Sequence, residues 1–318
     1  MEGVSVIICC YNSADRLKQT LAHLAKQRVD KEIKWEVIVV DNNSTDNTTA
    51  EAQRIWNSFQ KDISFTIVQE PQAGLSFARH KGVKKSAFEF VIFCDDDNWL
   101  EEDYISIAYN FLRSNERYAA VGGQSTAVFE VGVTEPEWFQ EYKSGYAVGQ
   151  QAEEGDVTKK GYVWGAGIAF RRSLYYTVMN NLFPSLLTDR KGNELSSGGD
   201  CEICLRFIII GYKIYNTNKL KLEHFISSNR LTIEYREKLG KGLDDAWGIL
   251  GKYYFYIACR SSKKDRIKTI VKYWLSVFKL KDLNPTEKDM ASIFTRYNDN
   301  ENAPVFKLMN GLRKQKVV

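Results

Sequence analysis

The chain has 318 residues, 44% hydrophobic and 26% charged, an ordinary globular composition. That excludes a disordered chain, a collagen-type repeat and a disulfide-stapled miniprotein. A net charge of only +4 gives no reason to expect a nucleic-acid partner. The aromatic share is high at 13%, and such rings build cores but also stack on bases and sugars.

In chain order, Val4–Cys10 is a short β-branched run, predicted as a buried parallel strand. It stops at Tyr11-Asn12-Ser13. Leu17, Leu21 and Leu24 then recur at helical spacing, with Ser13 as the expected N-cap. Glu36–Asp41 reads as a second buried strand ending in a carboxylate, followed by the turn residues Asn42 to Asp46 and a helix carrying Ile55, Trp56 and Phe59. Ile63–Val68 is a third strand, Leu75–Ser86 a helix, and Phe88–Cys94 a fourth strand running into Asp95-Asp96-Asp97. This alternation predicts an α/β fold, a mostly parallel sheet with helices on both faces. Ligands bind such sheets at the carboxyl ends of the strands, where Tyr11-Asn12, Asp41 and the aspartate triplet stand. Neither GxGxxG after the first strand nor GxxxxGK[ST] anywhere is present, so something other than a glycine loop must neutralise phosphates.

Three adjacent carboxylates repel one another, and a hard divalent cation relieves that repulsion while bridging a diphosphate. If the segment stays extended, Asp95 and Asp97 face one way and Asp96 the other, so two oxygens could hold a metal. A second acidic feature is Ser196-Ser197-Gly198-Gly199-Asp200-Cys201-Glu202, followed by a helical stripe. Asp200 near that helix N-terminus suits a general base for a hydroxyl nucleophile, or a simple cap. The pair Cys201 and Cys204 stands alone, without a second CxxC, and the six cysteines read as small core residues in a reducing compartment.

Together these segments resemble the family 2 glycosyltransferases. Strand 4–10 with Tyr11-Asn12, then Val39-Val40-Asp41-Asn42-Asn43-Ser44-Thr45-Asp46, is similar to the family's opening, Gly74–Gly82 to its middle motif with His80 where asparagine is usual, and Phe93–Asp97 to its DxD region. Trp164–Arg171 resembles the segment lining the sugar and acceptor pocket, and Gly199-Asp200 falls where the family has Glu-Asp. The resemblance spans about residues 3–226. It implies a GT-A fold, a nucleoside-diphosphate sugar donor (UDP-sugar first), a Mn2+ or Mg2+ cofactor, and transfer to an acceptor hydroxyl with inversion. By the same resemblance Asp41 and Tyr11 would meet the base, Arg79, Asp95 and Asp96 the donor site, and Trp164 and Gly165 the sugar and acceptor side. Asp97, Asp95 and His224 would bind the metal, and Asp200 would deprotonate the acceptor. Gly199 stands where the family has Glu, so an acceptor-side contact is expected to be either lost or supplied by Glu202. His224 has a structural alternative as a hydrogen-bonded histidine; His23 and His80 read as structural.

The Gln-x-x-Arg-Trp motif of processive synthases is absent, which favours addition of single sugars to a saccharide or lipid-linked saccharide, as in bacterial surface polysaccharide or glycolipid assembly. A sugar nucleotidyltransferase would need a basic glycine loop after the first strand, and Cys9-Cys10-Tyr11-Asn12-Ser13 is none. A non-catalytic nucleotide-sugar or glycan-binding module is the other alternative, prompted by Gly199.

Residues 127–160 read as a loop-rich insertion, either an acceptor lid or plain connection, and Leu182–Leu195 as a loop beside the proposed base. Domains are expected at 1–230, with a nucleotide-binding half to 100 and an acceptor half beyond, and at 231–318 as a helical extension. Residues 252–318 hold 15 Lys/Arg against 6 Asp/Glu, whereas the rest of the chain is net acidic. Aromatics alternate there with Lys263, Lys264, Arg266, Lys268, Lys272, Lys279 and Lys281. That pattern suits an anionic membrane surface, or helix packing and a dimer contact. No run reaches the roughly 20 apolar residues of a membrane span, and no signal peptide is legible. The expected location is cytoplasmic, with peripheral contact on the inner face of the cytoplasmic membrane.

Overall fold

A computed structural model describes residues 1–191, 195–258, 271 and 303–315. Among the described residues a nine-stranded sheet runs in the order 64–69, 35–41, 4–10, 90–95, 169–171, 118–129, 213–226 and 98–100, with 155–156 paired to 213–226 off this path. Its first half is parallel: β1 (Val4–Cys10) lies between β2 (Trp35–Asp41) and β4 (Phe90–Asp95), with β3 (Ser64–Gln69) beyond β2. The helices α1 (Leu17–Ala25), α2 (Thr48–Ser58) and α3 (Leu75–Lys85) join these strands. The register brings the polar strand ends together, because Cys10 pairs with Asp41 and Cys9 with Asp95. The strand ends therefore open on one edge.

The second half is mixed. After β5 (Asn98–Leu100) and α4 (Tyr104–Ser114) come β6 (Tyr118–Phe129), the short α5 (Phe139–Tyr142), β7 (Gly155–Asp156), β8 (Ala169–Arg171) and α6 (Arg172–Val178). Then follow α7 (Gly199–Ile209), β9 (Lys213–Ile226), α8 (Ile233–Ala258) and α9 (Ala303–Lys314). β8 is antiparallel to both β4 and β6, while β6 and β9 run parallel.

Strand alternation divides the core. Val6, Ile8, Val37, Val39 and Ile92 point to the side of α1, α2 and α4, where Leu21, Trp56 and Ile105 are buried. Ile7, Ile38, Val40, Val91 and Phe93 point to the opposite side, with Ala78, Phe207, Tyr253 and Met309 from α3, α7, α8 and α9. α8 and α9 pack into the same core as α7. The basic aromatic run at 263–281 lies outside the described residues, Val271 excepted. No described helix is long and apolar enough to cross a membrane.

Two local expectations change. Ser13 does not cap α1; its hydroxyl donates to Asp96 instead, and Arg16 stands at the N-cap position without a side-chain capping bond. Asp95 closes β4, but Asp96 and Asp97 form a tight turn into β5 rather than an extended strand. Asn98 fixes that turn: its side-chain oxygen accepts from Asp95 N at 3.3 Å and its amide donates to Asp97 Oδ1 at 3.2 Å.

Candidate active site

The turn gives each carboxylate of the triplet its own arginine. Arg79 of α3 approaches Asp95 at 3.9 Å, Arg16 before α1 pairs with Asp96 at 2.7 Å, and Arg230 pairs with Asp97 at 2.5 Å. The extended-strand expectation, with Asp95 and Asp97 sharing one face, is therefore corrected. The repulsion is relieved by three guanidiniums drawn from separate elements. Asp97 also meets His224 of β9, with Oδ1 and Nε2 3.4 Å apart, because Asn98 is paired with His224 across the β5–β9 ladder. Burial disfavours charge on Asp97, but His224 and Arg230 hold its carboxyl well below the usual range.

Two cavities flank this cluster. The smaller, about 230 Å³, is lined by Cys9, Tyr11, Arg16, Asn42, Gly74, the aspartate triplet and Arg190. Tyr11 stands 46% exposed at its mouth. Asp41 is set back: Oδ1 accepts from Ser44 N at 3.0 Å, and Oδ2 from Thr49 at 2.8 Å and Gln69 at 3.1 Å. It organises the turn whose Asn42 and Asn43 form the wall, rather than forming that wall itself.

The larger cavity, about 590 Å³, holds Arg79, Asp95, Trp164, Gly165, Asp189, Asp200 and His224, walled by Tyr146 and Gln151 from the 127–160 insertion and by Trp247 and Tyr254 from α8. Asp200 sits in the first turn of α7, where its Oδ2 accepts from Gly165 N at 2.6 Å. Gly165 is the small residue this approach requires. A Cβ there would lie 2.8 Å from Arg79 Nη2 and 3.1 Å from Asp200 Cβ. Lys160, its charge disfavoured by burial, lies 4.2 Å above the Tyr162 ring in the same cavity.

Glu202 does not join them, which corrects its expected acceptor role. It is fully buried on α7 and pairs with Arg206 at 2.8 Å. It also accepts from Tyr253 of α8 at 2.8 Å and from Ser185 and the amides of Leu186 and Leu187. Its carboxylate is a structural anchor between α7, α8 and the segment ahead of α7. The carboxylate beside Gly199 is instead Asp189, which bonds Arg79 at 2.9 Å.

Could the residues present hold a divalent ion? Among the described residues no three His, Cys, Asp or Glu side chains converge as a metal site, so Asp95 is not grouped with Asp97 and His224. Those two alone remain, one carboxylate and one imidazole, and His224 Nδ1 is buried without a hydrogen-bond partner. They are the residues that would hold an ion of the manganese or magnesium type, through Asp97 Oδ1 and the His224 Nε2 that faces it, since Asp97 Oδ2 is taken by Arg230. Sequence reasoning missed Arg16, Lys160, Asp189, Arg190 and Arg230. Only the adjacency of Arg230 to the end of the motif-bearing segment hinted at one of them.

A family model for glycosyl transferase family 2 matches residues 5–178. The poly(ribitol-phosphate) beta-N-acetylglucosaminyltransferase TarP of Staphylococcus aureus is 28% identical over 141 residues, 42% of this chain and 42% of that protein. The cholesterol galactosyltransferase of Borreliella burgdorferi is 33% identical over 113 residues, 35% of this chain and 30% of that one. The chain spans less than half the length of these curated relatives. Among solved structures, S. aureus TarS 1-349 in complex with UDP-GlcNAc superposes with a TM-score of 0.57 at 17% identity, covering 99% of this chain and 88% of that one. A mannosyltransferase from Pyrobaculum calidifontis, in complex with GDP-Man and Mn2+, gives 0.52 at 17% identity, with 99% and 86% covered. At that identity the likeness speaks for the fold, which is the GT-A arrangement of a parallel half joined to a mixed half. On the family match over more than half its length, the chain belongs to glycosyl transferase family 2.

Proposed function

We propose that this protein is an inverting, metal-dependent glycosyltransferase that moves one sugar from a nucleoside-diphosphate sugar, in the first instance a UDP-sugar, to a hydroxyl of a saccharide or lipid-linked saccharide. One observation carries the reading: the smaller cavity at the strand ends and the larger cavity around Asp200 meet at Asp95. In this reading the nucleoside occupies the first, walled by Tyr11 and the turn that Asp41 organises. The diphosphate passes the aspartate turn, and the sugar and acceptor share the second with Trp164, Gly165 and Asp200.

Asp200 takes the acceptor proton as the acceptor oxygen attacks the anomeric carbon from the face opposite the diphosphate. The bond from that carbon to the diphosphate oxygen breaks, and the leaving diphosphate keeps the electron pair. The Gly165 amide, at 2.6 Å from Asp200 Oδ2, fixes the direction of the base. Arg79, held by Asp95 and Asp189, sets the positive potential at the boundary between the two substrates. A divalent ion on Asp97 and His224, when bound, would neutralise charge developing on the leaving group. The UDP and UDP-GlcNAc complexes of TarS favour uridine, and the GDP-Man complex of the mannosyltransferase keeps guanosine as the base to compare.

The experiment is a thermal-shift screen of UDP, GDP and their sugars with and without Mn2+, followed by detection of free nucleoside diphosphate in the presence of acceptor mixtures. A ligand at about 100 times its dissociation constant stabilises the folded state by roughly 2.7 kcal/mol. Binding with one base and release of its diphosphate on turnover support the proposal. Binding with no turnover on any acceptor moves the protein to the binding-module reading, and no binding at all rejects both.

A further inference from the structure

Three residues line both cavities: Leu75, Asp95 and Arg190. Of these Arg190 alone is a cation. Its side chain makes no ion pair or hydrogen bond with any described residue, unlike the neighbouring arginines. Arg16, Arg79 and Arg230 are each committed to an aspartate of the triplet, and Arg79 to Asp189 as well. The backbone of Arg190 is nonetheless held. Its carbonyl accepts from Leu75 N at 2.9 Å, at the first residue of α3, and the preceding Thr188 carbonyl accepts from Ser76 at 3.0 Å. Between them Asp189, at φ +57°, turns its carboxylate inward to Arg79, in a backbone conformation that non-glycine residues seldom adopt. The segment is thus fastened to α3 at three consecutive residues, and the Arg190 side chain stands at the junction of the cavities.

We infer that Arg190 binds the diphosphate of the donor where it passes from the smaller cavity to the larger. The inference rests on the reading given under Proposed function. A ligand with its base in one cavity and its sugar in the other must cross this junction with two phosphates. Among the described residues the only carboxylate lining both cavities is Asp95, which by itself would repel them, and the Arg190 charge also acts on Asp97 of the smaller cavity and Asp189 of the larger. A guanidinium on a held backbone matches phosphate oxygens in pairs. Arg190 therefore answers the absence of a glycine-rich phosphate loop after β1, with a cation supplied more than 170 residues downstream.

The test compares nucleoside diphosphate with nucleoside. UDP and uridine, and likewise GDP and guanosine, are titrated calorimetrically into the full chain and into Arg190→Ala and Arg190→Lys, with Mn2+ and with EDTA. The carbonyl bond to Leu75 survives both substitutions. For the base that binds, Arg190→Ala is expected to weaken the diphosphate by roughly 10- to 100-fold, the size of one charged hydrogen-bonded contact, while the nucleoside changes less than about twofold. Arg190→Lys should fall between, since it keeps the charge but not the paired donors. An unchanged diphosphate affinity, or an equal loss for nucleoside and diphosphate, overturns the inference and leaves the donor-site reading standing. If the unaltered chain binds neither diphosphate, the donor-site reading itself fails.

Discussion

A Cβ on Gly199 would stand 2.5 Å from Asp189 Oδ2, so the carboxylate that holds Arg79 occupies space a side chain on Gly199 would need. Gly199→Ala should therefore push Asp189 off Arg79 and destabilise the protein by about 1–3 kcal/mol. Asp189→Gly removes the obstacle and suits the positive φ, so the double variant should lose less than the two single losses combined. Denaturant unfolding of all four proteins measures the coupling. Strictly additive losses would contradict the contact.

Asp189 also carries a pH signature. Burial pushes its carboxyl up to about 6, against the pull of Arg79. In the unfolded chain it titrates near 3.9. The folded state thus binds the proton more tightly, and the resulting contribution to stability is complete below about pH 4 and is lost as pH rises through about 6. Melting temperatures at about pH 4.5, 5.5 and 6.5 should show the wild type losing ground to Asp189→Asn as pH rises, the change amounting to at most roughly 3 kcal/mol. A wild-type advantage that grows with pH across that window has the wrong sign.

Glu202 belongs to the fold and not to substrate. Glu202→Ala leaves Arg206 charged and fully buried without its carboxylate, a change that costs about 3–5 kcal/mol. The fraction that still folds should keep the acceptor KM of the wild type. A large rise in acceptor KM with unchanged stability would return Glu202 to the cleft.

Asp200→Asn should retain donor binding within about twofold and lower kcat by roughly 10²- to 10⁴-fold, the usual weight of a positioned general base. Single-turnover measurements with saturating donor separate the two quantities. Full activity in this variant would dismiss Asp200 as the base.

The metal assignment rests on Asp97 and His224. Mn2+ should raise the melting temperature of the wild type with UDP beyond the increment UDP gives in EDTA. Asp97→Ala and His224→Ala should abolish that additional increment while leaving the EDTA value in place. An increment that survives both substitutions would place the ion on other ligands.

The strand–helix alternation through β4 was legible because the buried parallel strands β1, β2 and β4 write continuous apolar runs, and each of them and the edge strand β3 ended within two residues of its expected limit. The aspartate triplet was legible as a feature and misread as a shape. Its turn depends on Asn98 and on arginines up to 133 positions away, and no local pattern announces contacts of that range. Glu202 failed for a related reason. Acids in a first helical turn normally face solvent, whereas this one is drawn inward by Arg206 one turn on and by Tyr253, 51 residues later. Ser13 had the right residue type for a cap, but Asp96 took its hydroxyl first.

That Glu202–Arg206–Tyr253 knot has a practical corollary for anyone shortening the gene. The family match stops at residue 178, and a fragment cut there would keep every strand of the parallel half and all three aspartates. It would nevertheless lack Phe207, Leu250, Tyr253 and Met309, which seal the face of the sheet beneath α3. The smallest portion expected to express in folded form therefore reaches into α9, which carries Met309, well past the portion by which its kinship is detected.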